Sequence, residues 1–388
     1  MEEYPESDTG FVAADGVQSE RSHWLDARKQ QYLRTSTRRG RGANGNPEGR
    51  FESTARSCVD DGWAEPEAGQ ASSVPTRVAT EHAKSIITRN SSPDVPFNYS
   101  INPYRGCEHG CTYCFARPGH GYLNLSPGLD FETRLIAKVN AAECLERELS
   151  RPRYVCETIA LGTNTDPYQP VERKWKITRA LLEVAAKFNQ PIGIVTKNAL
   201  VERDLDILAP MARRGLAAVY VSVTTLDHQL ARRLEPRASA PSRRIEAIRR
   251  LSDAGVPVGV MCAPVIPFLT ESELEAVLGA AANAGARQAG YILMRLPFEV
   301  KQIFREWLAC HYPLKAAHVM SRVQAMRDGR DNDPDFGSRM VGKGEFAELL
   351  ARRFKLACKR FGLNLNQRKL DVSQFRCPSP DGQMDFFV

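Results

Sequence analysis

Between about residue 95 and residue 300 the chain repeats one pattern, a short β-rich run followed by an amphipathic helical run. The β-rich runs are "FNYSIN", "YVCETIALG", "IGIVTK", "AAVYVSV", "VPVGVMCAPVI" and "AGYILMRL". Helical periodicity lies between them at Phe131–Leu149, Lys176–Phe188, Val201–Arg214, Pro241–Ala254 and Glu271–Ala284. Strands that alternate with helices cannot be joined by tight hairpins. They form a parallel sheet through βαβ crossovers. Near-continuous Val, Ile and Ala within the runs is expected when both faces of a sheet are covered. The fold class is therefore α/β, and the alternation alone fits an open doubly wound sheet or a partial barrel equally well.

The flanks read differently. Residues 1–80 are poor in apolar periodicity, and "RTSTRRGRGANGNPEGRFE" is basic and Gly-rich, the composition of a largely disordered tail. A second reading has Arg38, Arg39 and Arg41 touching phosphate or covering a site. Residues 81–300 hold the alternating unit. Residues 301–388 read as a helical C-terminal extension ending in an exposed tail, with Arg352, Arg353, Lys355, Lys359 and Arg360 gathered in "LLARRFKLACKRFG". The net charge of +7 is compatible with nucleic acid or an acidic partner without requiring either. No apolar run reaches the roughly 18 residues that a membrane span needs. The N-terminus is acidic and lacks the apolar stretch of a signal peptide. Beyond one cluster, the other seven of the ten cysteines are scattered, as in a reduced, cytoplasmic protein.

In parallel α/β folds, chemistry collects at the carboxyl ends of the strands. "GTNTDPYQP", "TKN", "SVTT" and "APVIP" all fall there, each closing a β-rich run. So does "NPYRGCEHGCTYCFAR", which sets Cys107, Cys111 and Cys114 on one short loop after the first strand. Three thiolates leave a tetrahedral metal or a cubane cluster one ligand short, and an open position is where a substrate or cofactor binds. The alternative for the loop is a zinc site completed by a distant residue such as His109 or His120. Gly106 and Gly110 allow a tight wrap, and Tyr113 is placed to pack over a cluster. For Thr224, Thr225 and Asp227, helix capping is the simpler role.

The C-x3-C-x2-C spacing, with an aromatic before the last cysteine and a position after the first strand of an alternating β/α chain, resembles the radical S-adenosylmethionine superfamily. "NPYRGCEHGCTYCFAR", "TDPYQPVE" and "LEP" further resemble its spore photoproduct lyase-like (DNA repair photolyase-like) branch, over roughly residues 80–360. The resemblance implies a partial (β/α)6 barrel of the radical SAM type. It implies a 4Fe-4S cluster on Cys107, Cys111 and Cys114, whose fourth iron chelates S-adenosyl-L-methionine. Reductive cleavage of the sulfonium would then give a 5′-deoxyadenosyl radical that takes hydrogen from a substrate. By position, Thr163, Asn164 and Asp166 would meet the methionine amine, and Lys197 its carboxylate. Ser222 would meet the ribose, with Pro264 and Ile266 against adenine. The usual Gly-Gly-Glu of the superfamily is absent. Spore photoproduct lyase itself has a hydrogen-donor cysteine where this chain has Thr163, and a tyrosine where it has Phe115. Both departures argue against the same radical relay.

The resemblance also implies an electron donor such as flavodoxin or ferredoxin. A nucleic-acid substrate is the first functional reading. Modification of a protein or small molecule is a second, and a non-enzymatic zinc or iron–sulfur module a third. The terminal peptide Gln383–Phe387 resembles the short motif that docks on a replication sliding clamp, which would favour the first.

Overall fold

The computed structural model describes residues 38, 40–51, 74–366 and 369–378. Its centre is a sheet of six parallel strands. These are β1 (Tyr99–Ile101), β2 (Ile159–Leu161), β3 (Ile192–Thr196), β4 (Ala217–Ser222), β5 (Val258–Val265) and β6 (Gln288–Leu293). They lie side by side in chain order, with Thr88–Arg89 antiparallel on the outer edge of β1. That order decides between the two architectures left open above. A doubly wound sheet reverses direction at a switch point. Six consecutive neighbours joined by crossovers of one hand keep every helix on one face, and the sheet curls into a partial barrel.

Strand burial follows the architecture. Along β3, Ile192, Ile194 and Thr196 are buried and Gly193 and Val195 are half-buried. Ile194, Val219, Val221 and Val260 are fully enclosed, and Leu181, Leu208, Ile248 and Leu278 of the surrounding helices share one apolar cluster with them. The second β-rich run is longer in sequence than in structure, because β2 is limited to three residues by its three-residue neighbour β1. Two crossovers open with 3-10 turns, Ala199–Asp204 and Glu271–Glu273, before the helices Leu205–Arg213 and Leu274–Asn283.

The expected helix Phe131–Leu149 requires correction. Its span holds most of a short helix Leu129–Thr133, then a strand Arg134–Lys138, then a helix Ala141–Leu149. The strand pairs parallel with Arg77–Glu81 and antiparallel with Tyr104–Arg105 in a separate three-stranded sheet. "RLIAK" alternates, with Leu135 and Ala137 buried while Arg134 is exposed. A five-residue alternation inside a longer helical pattern is easily absorbed by that pattern.

The C-terminal extension is helical, at Val300–His311, Pro313–Ala325 and Glu345–Phe361. Trp307 is buried and its indole N–H donates to Arg233 O at 3.0 Å, fixing the first of these helices to the barrel. The last lies against Leu274–Asn283, where Arg353 makes a bidentate pair with Glu275 at 2.7 Å. The basic group in that helix is therefore partly neutralised. Among the described residues no helix is long and apolar enough to cross a membrane.

If Arg134–Lys138 is a strand with one covered face, Leu135→Ala should lower unfolding free energy by about 2–5 kcal/mol, as for other buried leucines. Arg134→Ala should stay within about 0.5 kcal/mol. Denaturant melts of the two variants measure the contrast, and equal costs would contradict the alternation.

Candidate active site

The cysteine loop follows β1 and has no ladder of its own, so its shape depends on side chains from elsewhere. Cys107 and Cys111 are buried and Cys114 is half-buried. The Cys107 amide donates to Phe131 O at 2.9 Å, the Thr112 amide to Leu234 O at 3.1 Å, and the Cys114 amide to Cys111 O at 3.2 Å. Gly110 has a left-handed φ of +66° and faces Gly42, where an added Cβ on Gly42 would stand 1.8 Å from Gly110 O. Only glycines fit this crossing.

Three carboxylates hold the loop, Glu132 and Glu235 buried and Asp166 half-buried. Glu132 accepts from Arg117 Nη2, from the Gly42 amide at 2.9 Å and from the Ala43 amide at 2.9 Å. Arg117 in turn donates to Cys111 O at 2.9 Å. Glu235, the acid of "LEP", accepts from Arg244, from the Tyr113 hydroxyl and from Thr224 Oγ1 at 2.6 Å. Asp166 accepts from Thr196 Oγ1 at 2.7 Å, the Lys197 amide at 2.7 Å and the Tyr168 amide at 2.9 Å. His109 Nδ1 stands 3.4 Å from Asp166, while its Nε2 lies 3.2 Å from Asn198 Nδ2. With both ring nitrogens engaged, His109 is not free to complete a zinc site. His120 Nε2 is likewise engaged, at 3.0 Å from Arg134 O.

The residues expected to meet S-adenosylmethionine divide in two. Asp166 is braced on both oxygens, so its side chain shapes the loop after β2. Ile266 is fully buried in the apolar cluster that also holds Cys111 and Tyr113. Tyr113 is buried in that cluster too, its hydroxyl tied to Glu235. By contrast, Thr163 is half-buried and Asn164 exposed at the end of β2. Ser222 is buried at the end of β4, and Pro264 is half-buried on β5. Lys197 is no solvated lysine. Its Nζ reaches across the barrel to 3.5 Å from Ala263 O on β5 and lies 5.9 Å from the Tyr113 ring centre. Asp227 caps the helix His228–Leu234, accepting from the Gln229 amide at 2.7 Å.

Two organising residues escaped the sequence reading. Asn102 Oδ1 accepts from the Asn164 amide at 2.9 Å and the Thr165 amide at 3.2 Å, and its Nδ2 donates to Thr163 Oγ1 at 3.1 Å. Gln169 bridges two loops, accepting from the Glu108 amide at 2.8 Å and donating to Gly106 O at 3.2 Å. An asparagine before proline at a strand end was the available signal for the first. The second lies inside "TDPYQPVE", where its role shows only once the loops meet. The N-terminal segment was missed as well. Arg41 is buried, donating to Glu132 O at 2.9 Å and Val74 O at 2.6 Å, so it binds the fold together and is not presented to phosphate. Arg39 and the Gln383–Phe387 peptide lie outside the described residues.

The electrostatics follow from burial. Removal from water pushes the Cys107 and Cys111 thiols above their ordinary range, Glu235 pushes Cys111 further up, and Lys197 opposes that rise. Such thiols stay protonated unless a metal takes the sulfur. Burial also lowers the His109 pKa, so its ring is neutral despite Asp166. At Glu235 burial acts upward, but Arg244, Lys197 and the hydrogen bonds from Thr224 and Tyr113 outweigh it and hold the carboxyl at about 2.

Three sulfurs on one glycine-bearing loop, desolvated and facing a lysine, suit a cluster of net negative charge. Among the described residues no three His, Cys, Asp or Glu side chains converge on a point that could hold a single metal ion. A cubane offers its irons at separate corners, so its thiol ligands need no such convergence.

Residues 101–281 match the family model of the Radical SAM superfamily. That stretch is similar to a radical SAM domain. An uncharacterized protein of Mycobacterium tuberculosis is 41% identical over 221 residues, covering 56% of this chain and 65% of that one. An uncharacterized protein of Methanocaldococcus jannaschii is 26% identical over 229 residues, covering 59% of this chain and 82% of that one. The match thus spans about two thirds of the mycobacterial relative. Among solved structures, spore photoproduct lyase complexed with dinucleoside spore photoproduct gives a TM-score of 0.54 at 17% identity, over 74% of this chain and 80% of that one. A doubly substituted spore photoproduct lyase with bound AdoMet and the same dinucleoside gives 0.53 at 16%, over 76% and 86%. At such identity the likeness is one of fold. The cysteine loop, β2 to β5 and the "TDPYQPVE" and "LEP" segments all fall within the matched residues.

Glu235 supplies a test of the bracing. Its folded-state pKa lies below the ordinary 4.5, so its stabilisation is complete above pH 4.5 and is lost as pH falls toward about 2. The gap corresponds to roughly 3 kcal/mol. Glu235→Gln should cost about 3–5 kcal/mol at neutral pH by leaving Arg244 buried without its counter-charge. It should also flatten the stability loss in that acid window. Denaturant titrations across the window measure both.

Proposed function

We propose that this chain is a radical SAM enzyme, with Cys107, Cys111 and Cys114 ligating a 4Fe-4S cluster and with a nucleic acid as substrate. The observation that carries the reading is the multiple bracing of a three-cysteine loop, with Cys107 and Cys111 buried, at the carboxyl ends of the strands. When bound, the cluster supplies the electron that cleaves S-adenosyl-L-methionine, and the resulting radical takes hydrogen from the substrate. A reductant such as flavodoxin or ferredoxin is required.

The protein's own groups bind, orient and exclude water. Lys197 pairs its ammonium with the methionine carboxylate, since it is the cation that stands over the loop from β3. Thr163 and Asn164, ordered by Asn102, receive the amine. Ser222 meets the ribose, and Pro264 lies against the adenine. Asp166, Tyr113 and Ile266 act as positioning residues that keep the loop and Lys197 in register. His109 remains neutral and links Asp166 to Asn198. Nucleic acid is favoured over a protein or small molecule by the net charge of +7 and by the fold shared with an enzyme solved with a dinucleoside.

Two measurements test the proposal. Cys111→Ala should lose the iron content and visible absorption of the anaerobically reconstituted protein, whereas Cys262→Ala should keep both, because Cys262 is buried on β5 away from the loop. Full iron in Cys111→Ala would overturn the ligand assignment. Lys197→Ala should weaken S-adenosylmethionine binding by about 1.5–3 kcal/mol, the range for a hydrogen bond to a charged group, with iron content retained. An unchanged dissociation constant removes Lys197 from the site.

A further inference from the structure

The bracing described above occupies the ends of β2, β3 and β4. The opposite side of the mouth, where the cysteine loop meets the segment after β6, is built of different material. Phe115, directly after Cys114, is 43% exposed, and the Arg295 guanidinium stacks on its ring at 4.4 Å. Among the described residues Arg295 has neither an ion pair nor a hydrogen bond. Burial together with nearby Arg339 and Arg327 lowers its pKa to about 10, and Asp94 and the neighbouring Cys114 act in the opposite sense. Asp94, the carboxylate whose charge reaches Arg295, is already paired with Arg339, so the arginine cluster keeps capacity for a further anion.

Three residues on, Phe298 is 61% exposed with the Arg50 guanidinium 3.7 Å above its ring. Arg50 also lies 5.3 Å from the ring of Phe51, which is 51% exposed. Phe51 contacts the 75% exposed Tyr122 with ring centres 5.0 Å apart. Arg50 is held in place by Glu299 at 3.4 Å and by Pro118 O at 3.4 Å. One run of contacts thus joins Tyr122, Phe51, Arg50 and Phe298, and a second joins Arg295 to Phe115 beside Cys114, the two linked along the chain by the three-residue step from Arg295 to Phe298. Three separate chain segments contribute: the N-terminal segment, the cysteine loop and the segment after β6. Exposed aromatic faces are disfavoured unless something covers them.

We propose that these two runs form a base-stacking platform for single-stranded nucleic acid, with Arg295 taking a phosphate beside the cysteine loop. The inference rests on the radical SAM reading for the direction in which the strand is delivered. Successive bases stack on exposed aromatic rings without regard to sequence, and arginine adds both a stacking plane and a phosphate contact. A duplex hides its base faces, so the platform selects single strands or bases turned out of a helix. Arg50 and Phe51 give the N-terminal segment a second function besides sealing the back of the cysteine loop.

The test is fluorescence anisotropy with a short labelled oligodeoxynucleotide, its oligoribonucleotide counterpart and the matching duplex, using the full chain. The single strand of at least one sugar type should bind more tightly than the duplex, and the tighter of the two names the source. Phe298→Ala and Tyr122→Ala should each weaken that binding about tenfold, as loss of one stacked base does. Arg295→Gln should lower the salt dependence of binding by about one ion. Circular dichroism spectra matching the parent protein show that the variants fold. No single-strand binding by the parent protein, equal or tighter binding of duplex, or undiminished binding by both aromatic variants would overturn the platform. Conversion of S-adenosylmethionine to 5′-deoxyadenosine by the parent protein without oligonucleotide separates the two ideas. If it occurs while single strands fail to bind, the platform falls and the radical SAM reading stands.

Discussion

Everything in this site depends on holding a stretch of backbone that has no ladder to hold it. The loop from Cys107 to Cys114 must present three sulfurs at fixed separations, yet only a few main-chain bonds reach it. Glu132, Glu235 and Asp166 supply the rest, each from a different element and each accepting several donors. A carboxylate is well suited to this task. Its two oxygens accept several hydrogen bonds, and a buried negative charge strengthens each of them. The three are also spaced along the loop. Glu132 reaches the backbone of Cys111 through Arg117, Glu235 fixes Tyr113 beside Cys114, and Asp166 fixes His109 between the first two cysteines.

Such pairs are poor investments in stability as such. An apolar core of equal volume often does as well, because ions must first be stripped of water. What the Glu235–Arg244 pair adds is direction. Arg244 donates to Ser222 O at 3.0 Å and to Ser239 O at 2.7 Å as well as to Glu235. The end of β4, the "LEP" turn and Tyr113 are thereby set relative to one another. A leucine in place of Glu235 could fill the space without fixing any of those angles. The same distinction applies at Asp166, where one carboxylate orients Thr196, the Lys197 backbone and His109.

The strands were legible because β3, β4 and β5 are continuous apolar runs, but the alternation fits two strand orders and only the resemblance pointed to the barrel. The cysteines were legible because their spacing is local. The bracing of Asp166 was not legible, for a general reason. A polar residue at a strand end looks the same in sequence whether it faces a ligand or a neighbouring loop, and only the positions of Thr196 and His109, far along the chain on either side, distinguish the two. The burial of Ile266 was hidden for a different reason. Ile266 was placed at the mouth by its strand, but the C-terminal helices, whose docking no local pattern announces, bury it beside Trp307 and Phe304. Within the N-terminal tail, the packing of Arg41, Gly42 and Ala43 was not legible for compositional reasons. The tail's Gly-rich, Arg-rich text has the signature of an unstructured tail, yet Arg41, Gly42 and Ala43 find partners in Glu132, a residue about ninety positions away.

These gaps share a physical cause that also organises function. The sides of the barrel mouth differ in what they spend their polar groups on. At the ends of β2, β3 and β4, nearly every donor and acceptor is satisfied internally, which makes that side rigid and leaves few groups for a ligand beyond Lys197, Thr163 and Asn164. Past β6, between Cys114 and the N-terminal segment, the guanidinium of Arg295 makes no ion pair or hydrogen bond among the described residues and the rings of Phe115, Phe298 and Tyr122 are exposed. A reactive intermediate is best generated against a wall that does not move and met by a substrate on a face that still has binding capacity. The asymmetry of hydrogen-bond satisfaction across the mouth is therefore what separates the generating side of this site from its receiving side.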